Sequence, residues 1–242
     1  MLNFFLKILS PIIILVAFWQ FNIAGNALSA ENNFILIWSS NSYAPLNYEG
    51  KTLPTKGSEI KVYVLPTKKL SPDPENLYYR WLLDDEIMGW ANDQGKSVFK
   101  FTASKWAGDS HEIELQILDG QDGNIIWRGY LKIKVVSPEV LLQTPDSNYA
   151  VKDTFSTKTG RDITFIAVPL FFHIKNLSEV YFEWKFADQK LASVDEKNLN
   201  QLKLKIPAGD LSESLLKNLS VLIKHKEDST QQKTLNLNVE IK

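Results

Sequence analysis

Residues whose types could do chemistry are spread along the chain, and the densest group is an acidic run. Asp84-Asp85-Glu86 follows an aromatic stretch, and carboxylate oxygens are ligands that Ca²⁺ prefers. Neighbouring residues of a strand point to opposite faces, so three consecutive carboxylates do not readily converge on one ion. We interpret the run as a solvated turn.

A second acidic stretch, Asp119 to Asn124, superficially resembles a calcium-binding loop. It lacks the alternating acidic spacing of such a loop and the Glu at its twelfth position. Its Asp-Gly and Gly-Asn pairs lie between apolar runs, an arrangement that is typical of a hairpin turn. We therefore expect a turn without a bound metal.

Histidines and nucleophiles form no catalytic pattern in the sequence. His111, His173 and His225 are far apart and match no metal-ligand spacing. The chain has no nucleophile elbow, no phosphate-binding loop and no dinucleotide fingerprint. We predict that the protein is not an enzyme, and we expect neither a cofactor nor a metal.

Two tryptophans are the candidate contact residues for a ligand or partner. Trp90 and Trp106 both lie in turn-like sequence, and exposed loop tryptophans stack on sugars or anchor a protein partner. The alternative is that each ring folds back over the edge of a sheet. The sequence leaves both possibilities open.

Composition excludes several classes of protein. Lys and Arg number 27 against 28 Asp and Glu, so we do not expect a nucleic-acid-binding surface. The absence of cysteine excludes disulfides, thiolate zinc sites and a lipidated cysteine anchor. Hydrophobic residues make up 44% of the chain, which is enough for packed cores.

The N-terminus, residues 1–33, is typical of a targeting segment. Ile8 to Ala24 is mostly apolar, follows Lys7 and is followed by small residues. Its 17 residues are a marginal length for an uncleaved hydrophobic helix that crosses a bilayer, and the small residues also suit cleavage of a signal peptide. In both cases the N-terminus stays inside and residues 34–242 cross the membrane.

The rest of the chain has the pattern of strands, because short runs alternate apolar and polar residues and turn residues separate them. The best helical candidate is Asp210 to Leu219, where a capping Asp precedes Glu213 by three positions, and we expect at most two turns there. The predicted strands are Phe34–Trp38, Ile60–Val64, Tyr79–Leu82, Val98–Phe101, Ile113–Ile117, Ile125–Val136, Val140–Leu142, Ile163–Ala167, Leu219–Ile223 and Leu235–Ile241.

These strands form two similar sets. The aromatic stretch around Trp81 recurs 103 residues later around Trp184, and a glycine and a proline repeat at the same offset. A period of about 100 residues is the size of one immunoglobulin-like sandwich, with each tryptophan in its own core. The offset glycines and prolines are Gly57 with Gly160 and Pro66 with Pro169.

The predicted fold is all-β, with two tandem immunoglobulin-like antiparallel β-sandwiches after the N-terminal hydrophobic helix. We place the first sandwich at residues 34–137 and the second at 138–242. The join around Val136-Ser137-Pro138-Glu139 is short and contains a proline, so we expect the two sandwiches to lie end to end with limited swing.

A resemblance to a known family supports this division. Tyr79 to Leu82 and Phe182 to Phe186 resemble the central strand of PKD-type immunoglobulin-like domains, and Trp106 to Asp119 resembles their turn glycine and long alternating strand. The family's Gly-Asp-Gly turn is replaced here by Asp84-Asp85-Glu86 and Ala187-Asp188-Gln189. The resemblance implies a spacer, adhesion module or binder in a bacterial surface protein.

We therefore expect a non-enzymatic structural or protein-interaction module outside the cytoplasm. It is either anchored in the membrane through residues 8–24 or secreted. The expected partners are other surface or envelope proteins. The alternative is a carbohydrate-binding or adhesion module in which Trp90 and Trp106 contact a glycan. Nucleic acid is not an expected partner.

Overall fold

The described chain is built mainly from β-strands. A computed structural model describes residues 33–70, 73–147, 149–191 and 198–242. The predicted targeting segment therefore lies outside the described residues except for Asn33. Within the described ranges, no helix is both long enough and apolar enough to cross a bilayer.

Two antiparallel sheets make up the first half of the fold. Its strands are β1 (Phe34–Ser40), β2 (Glu59–Pro66), β3 (Tyr78–Leu83), β4 (Glu86–Ile87), β5 (Asp93–Gln94), β6 (Val98–Thr102), β7 (Ser110–Leu118) and β8 (Ile125–Lys134). One sheet has the order β1-β2-β6. The other has the order β4-β3-β7-β8, and β5 pairs with the same edge of β3 as β4 does.

The second half repeats this plan. Its strands are β9 (Glu139–Gln143), β10 (Thr154–Thr157), β11 (Asp162–Leu170), β12 (Val180–Phe186), β13 (Gln189–Leu191), β14 (Gln201–Lys205), β15 (Leu215–His225) and β16 (Gln232–Ile241). The smaller sheet has the order β14-β11-β9, and the larger has the order β10-β16-β15-β12-β13. One pairing departs from the predicted antiparallel arrangement, because β10 runs parallel to β16.

Each half buries its own hydrophobic core between its two sheets, and the two sets of buried residues share no member. Trp81 is fully buried and stacks on Phe99 with ring centroids 5.4 Å apart. Trp184 is fully buried in the second core. The prediction that both tryptophans are core residues is therefore confirmed. Residues 32–242 also form one compact unit, so the division into two domains at residue 137 stays a prediction.

The turn after the central strand is duplicated together with the strand. Asp84 and Asp85 have φ of 51° and 68°, and Ala187 and Asp188, 103 residues later, have φ of 47° and 64°. A two-residue turn with both φ positive matches the twist of a hairpin. The first pair joins β3 to β4 and the second joins β12 to β13. Both halves therefore keep the hairpin although neither has the family's glycines.

The helix predicted at Asp210 to Leu219 is wrong. Leu215–His225 is β15, which pairs with β16 from Leu215 and Ile241 to Lys224 and Gln232. A helix of one or two turns is not stable by itself, whereas this hairpin gains a long ladder of backbone hydrogen bonds and a buried face. The helical segments of the described residues are single 3₁₀ turns at Pro74–Asn76, Gly89–Ala91 and Leu177–Glu179.

Candidate functional site

Asp84 is the centre of a polar cluster at the end of β3. Its Oδ1 accepts hydrogen bonds from Lys105 Nζ at 2.6 Å and from the Glu112 backbone N–H at 2.9 Å. Its Oδ2 accepts one from His111 Nδ1 at 2.7 Å. The cluster ties the β3–β4 turn to the loop before β7 and to β7 itself. The prediction of a turn is therefore confirmed, but that of a solvated Asp84 is wrong; Asp85 and Glu86 are exposed.

The cluster stabilises the ionised form of the carboxylate. Partial burial acts to raise the pKa of Asp84, but the hydrogen bonds from Lys105, the Glu112 N–H and His111 outweigh it. The pKa of Asp84 is therefore lower than its ordinary value. The carboxylate is an anion at neutral pH, and it accepts three hydrogen bonds in that form.

The Asp84–His111 pair has the hydrogen-bond geometry of a catalytic dyad, but neither nitrogen of its imidazole ring is available to a substrate. His111 is fully buried, and its Nε2 accepts a hydrogen bond from the Ser104 backbone N–H at 3.2 Å. Its Nδ1 donates to the carboxylate, so both ring nitrogens are engaged. A general base needs a nitrogen within reach of substrate. We conclude that this cluster holds the loop between β6 and β7 in place.

No metal centre is found in the part of the chain that the structure describes. Within it, no three His, Asp or Glu side chains come together as the ligands of an ion would. Asp119 accepts from the Asn124 backbone N–H at 2.7 Å, which closes the turn between β7 and β8. The hairpin predicted there is confirmed.

Trp90 lies in the 3₁₀ turn between β4 and β5. Its ring packs against Phe99 with centroids 5.6 Å apart, while 67% of the residue stays exposed. Because Phe99 belongs to the edge strand β6, Trp90 covers the gap between the two sheets of the first half. The ring thus folds over a sheet edge and still presents surface to solvent.

Trp106 lies in the loop between β6 and β7. Lys56 Nζ lies 3.3 Å from the centre of its ring, a cation–π contact, and the residue is 58% exposed. The structure thus gives Trp90 and Trp106 different partners in different loops. The role of both as contact residues stays a prediction.

Among the surface grooves of the described chain, one lies on the large sheet of the first half and another lies at the smaller sheet of the second half. The first has a volume of about 400 Å³ and is lined in part by Glu112 and Tyr130. The second has a volume of about 530 Å³ and is lined in part by Asp146 and Arg161. Neither Trp90 nor Trp106 lines these grooves.

A junction between the two halves is formed by the loop that connects β1 to β2. The Tyr43 backbone N–H donates to the Phe172 carbonyl at 2.7 Å, and the Phe171 N–H donates back to the Tyr43 carbonyl at 2.7 Å. The Tyr43 side chain packs against the second core. The Tyr48 ring meets the Phe171 ring edge to face at 5.8 Å. The first half thus extends the packing of the second.

Gln231 is the polar centre of the same junction. It belongs to the hairpin between β15 and β16 and is buried together with Thr55. Its Nε2 donates to the Lys56 carbonyl at 2.9 Å and to the Thr55 hydroxyl at 3.2 Å. Its Oε1 accepts from the His173 backbone N–H at 3.0 Å. One amide side chain therefore satisfies groups from both halves.

Gly57 allows a close approach of the two halves at this junction. It has a φ of 93°, and a Cβ added there would lie 3.1 Å from His173 Nδ1. Sequence reasoning found Gly57 through the repeat but missed its neighbours across the junction. The signal available in the sequence was the pair Phe171-Phe172, which follows the proline near the end of β11 and is too apolar for an ordinary turn.

Comparisons with known proteins give a likeness of fold. No protein-family model matches the sequence, and no curated protein matches it. Similar solved structures include three N-terminal domains of the Highly Immunogenic Outer Capsid protein (Hoc) of bacteriophage RB49, with 10% identity, a TM-score of 0.40 and coverage of 86% of this chain. The match spans only 59% of that phage chain, less than two thirds of it.

Two further structures belong to immunoglobulin-like and fibronectin-III-like domain proteins. The fibronectin(III)-like modules of Clostridium thermocellum CbhA match 85% of this chain and 94% of theirs, with 14% identity and a TM-score of 0.30. The Ig1-2 module of the Drosophila receptor protein tyrosine phosphatase DLAR matches 86% and 98%, with 11% identity and a TM-score of 0.25. These likenesses concern the fold alone.

Proposed function

We propose that the chain is a non-enzymatic structural or protein-interaction module whose two sandwiches behave as one stiff unit outside the cytoplasm. The observation that carries this proposal is the junction, where Gln231 and Tyr43 tie the halves together beyond the covalent chain. A stiff spacer holds whatever it carries at a fixed distance from its point of attachment.

The stiffness follows from the number of independent ties. Only residues 135–138 separate β8 from β9, and they include Pro138, so the covalent link is short. The Tyr43 backbone and the Gln231 side chain add contacts on the other parts of the junction. Bending at the join would break the hydrogen bonds of Gln231, each of which contributes about 0.5–1.5 kcal/mol net.

The location rests on the N-terminal segment. Apolar residues 8–24 after Lys7 direct the rest of the chain across the membrane, whether or not the segment is later removed. Other surface or envelope proteins are the partners that such a module meets. Its exposed loops and sheet edges are the surfaces on which contacts of this kind form.

The location can be tested by labelling, because the chain contains no cysteine. Tyr149 is 82% exposed, so a maleimide that cannot cross membranes should label Tyr149→Cys on intact cells. The matched control is Ala103→Cys at a buried position, which should stay unlabelled until the protein is denatured. Labelling of Tyr149→Cys only after the cells are broken would contradict an extracytoplasmic location.

A carbohydrate-binding or adhesion module is the second candidate, and the exposure of two loop tryptophans favours it. Trp90 and Trp106 keep more than half of their surface in solvent, and aromatic faces of this kind stack on sugar rings. We expect a glycan array to show binding that Trp90→Ala or Trp106→Ala removes and the equally exposed Tyr130→Ala does not. No binding, or binding that both tryptophan variants retain, would contradict a carbohydrate-binding function.

A further inference from the structure

The outer face of the small sheet in the first half is apolar and exposed. Ile35 pairs across the sheet with Leu65, and Ile37 pairs with Tyr63, which pairs in turn with Val98. Residues opposite one another share a face, so these five side chains form one patch. The four aliphatic members are each 40–46% exposed. We call this surface the apolar face.

The duplicated half shows that the fold does not require apolar side chains at two positions of this face. Ile166 of β11 is the counterpart of the central Tyr63, 103 residues later. It pairs with Gln143 on one side and Gln201 on the other. The position of Ile37 and that of Val98 are thus occupied by glutamines in the second half. The counterparts of Ile35 and Leu65 stay apolar, as Leu141 and Val168, so the second half differs in the row that the two glutamines flank. This difference indicates a contact that only the first half makes.

Lysines lie at both ends of the apolar face. Lys61 and Lys100 pair directly across β2 and β6, one row beyond the apolar residues. Like charges in directly opposite positions destabilise a sheet, and Glu59 balances only Lys61, at 3.3 Å. Lys69 is exposed in the loop that follows β2 at the other end. The surroundings of the face therefore suit an anionic partner.

The size and position of the face favour a membrane surface over a second protein. Three strands and two rows of residues cover roughly 200–300 Å², well below the roughly 800 Å² per partner of a stable protein interface. Only nine residues, 25–33, separate the apolar segment 8–24 from β1. They span at most about 35 Å, so a segment held in a bilayer leaves the face within reach of the lipid headgroups.

We propose that the apolar face docks on an anionic lipid surface, the surface of the bilayer in which residues 8–24 are held. This inference rests on the membrane-anchored form of the proposed function. The aliphatic side chains enter the interfacial region, and the lysines at both ends contact acidic headgroups. The sandwich is then oriented on the membrane as well as attached to it.

The test uses the full chain in vesicles of phosphatidylcholine with about 30% phosphatidylglycerol. A fluorophore sensitive to polarity is attached at Leu65→Cys on the apolar face, or at Tyr130→Cys on the outer face of the other sheet as the control. We expect a blue-shifted emission from the first position only. Ile37→Gln and Val98→Gln introduce the glutamines of the second half and remove apolar surface from the face. In the chain labelled at Leu65→Cys, we expect them to lower the ratio of lipid-embedded to aqueous probe at least about tenfold.

Flotation of the vesicles separates the two ways of failing. If the chain floats with the lipid while the Leu65→Cys probe stays aqueous, the docking inference is overturned and the anchor is not. If the chain does not float, both are overturned. An equal shift in pure phosphatidylcholine would overturn the role of anionic lipid. An emission shift that depends on the protein-to-lipid ratio would contradict docking on the membrane, because it would show that the face binds a second copy of the chain.

Discussion

Gln231 and Thr55 lie 176 residues apart in sequence, yet the Gln231 side chain donates to the Thr55 hydroxyl over 3.2 Å in a fully buried contact. This contact joins the hairpin between β15 and β16 to the loop before β2. It fixes how the two halves meet, because the amide of Gln231 matches hydrogen-bond donors and acceptors that both halves bury at the junction. The first prediction follows from removing it.

Gln231→Ala should lower the free energy of unfolding by about 2 kcal/mol or more, because the Lys56 carbonyl and the His173 N–H lose their partner. Urea unfolding followed by tryptophan fluorescence measures this loss. The matched control is Gln121→Ala in the corresponding hairpin of the first half, where the side chain is exposed and a loss below about 0.5 kcal/mol is expected. Equal losses for the two variants would show that the Gln231 hydrogen bonds contribute nothing to stability.

Asp84→Asn should destabilise the first half by about 2 kcal/mol at pH 7, because a charged acceptor of three hydrogen bonds is lost. Folding lowers the pKa of Asp84, so its contribution is present above the pKa of the unfolded chain and is lost as pH falls through the folded pKa. The difference between wild type and variant should therefore shrink in acid.

Unfolding curves at pH 7 and at about pH 3 test this dependence. Asp85→Asn is the control, because Asp85 is exposed and has a similar positive φ, which Asn also tolerates. A destabilisation by Asp84→Asn that is independent of pH would be inconsistent with a charged role for this carboxylate.

Ala187→Gly should stabilise the protein by roughly 0.5–1 kcal/mol. Ala187 has a φ of 47°, and glycine relieves the steric strain of that conformation. Ala107→Gly, in an exposed loop at a position without positive φ, should destabilise slightly, because glycine there only adds freedom to the unfolded chain. Thermal unfolding of both variants shows whether each change raises or lowers stability. A loss of stability for both would contradict steric strain at Ala187.

Tyr79 should be the last tyrosine of the described fold to ionise. Burial, with the nearby Asp73 charge adding to it, raises the pKa of Tyr79 to about 12, and its hydroxyl donates to the Pro74 carbonyl at 3.0 Å. The neutral phenol therefore stabilises the fold below pH ~10, and this contribution is lost as pH rises through about 12. Absorbance titration should show one late step that Tyr79→Phe removes; a titration of Tyr79→Phe that still shows this step would contradict the assignment.

Local pattern was sufficient for the long strands of this fold and for the two core tryptophans, but it missed the short strands β10, β13 and β14. The period of two placed the strands, and the recurrence of Trp81 at Trp184 placed the two buried tryptophans. It was misleading at Leu215, because a helix-capping signal is weaker than the ladder between β15 and β16. Spacing within a segment carries no information about that distant partner.

The junction and the Asp84 cluster needed the three-dimensional register. Asp84 reaches His111 only because Leu83 pairs with Ile113 between β3 and β7. Gln231 looks like any polar turn residue until its hairpin meets the loop at Thr55. Long-range pairings of this kind are set by the packing of whole sheets, so residue types alone do not indicate them.

The central claim, that the two sandwiches form one stiff unit, is tested most directly by a distance measurement across the junction. Spin labels at Tyr130→Cys in the first half and Tyr181→Cys in the second report the distribution of separations by double electron–electron resonance. The matched control pair is Ile87→Cys with Tyr130→Cys, within the first half; all three positions are exposed. We predict that the distribution of distances across the junction is as narrow as that of the control pair. We also predict that Gln231→Ala broadens the distribution across the junction. A broad distribution in the otherwise unaltered chain would contradict the account.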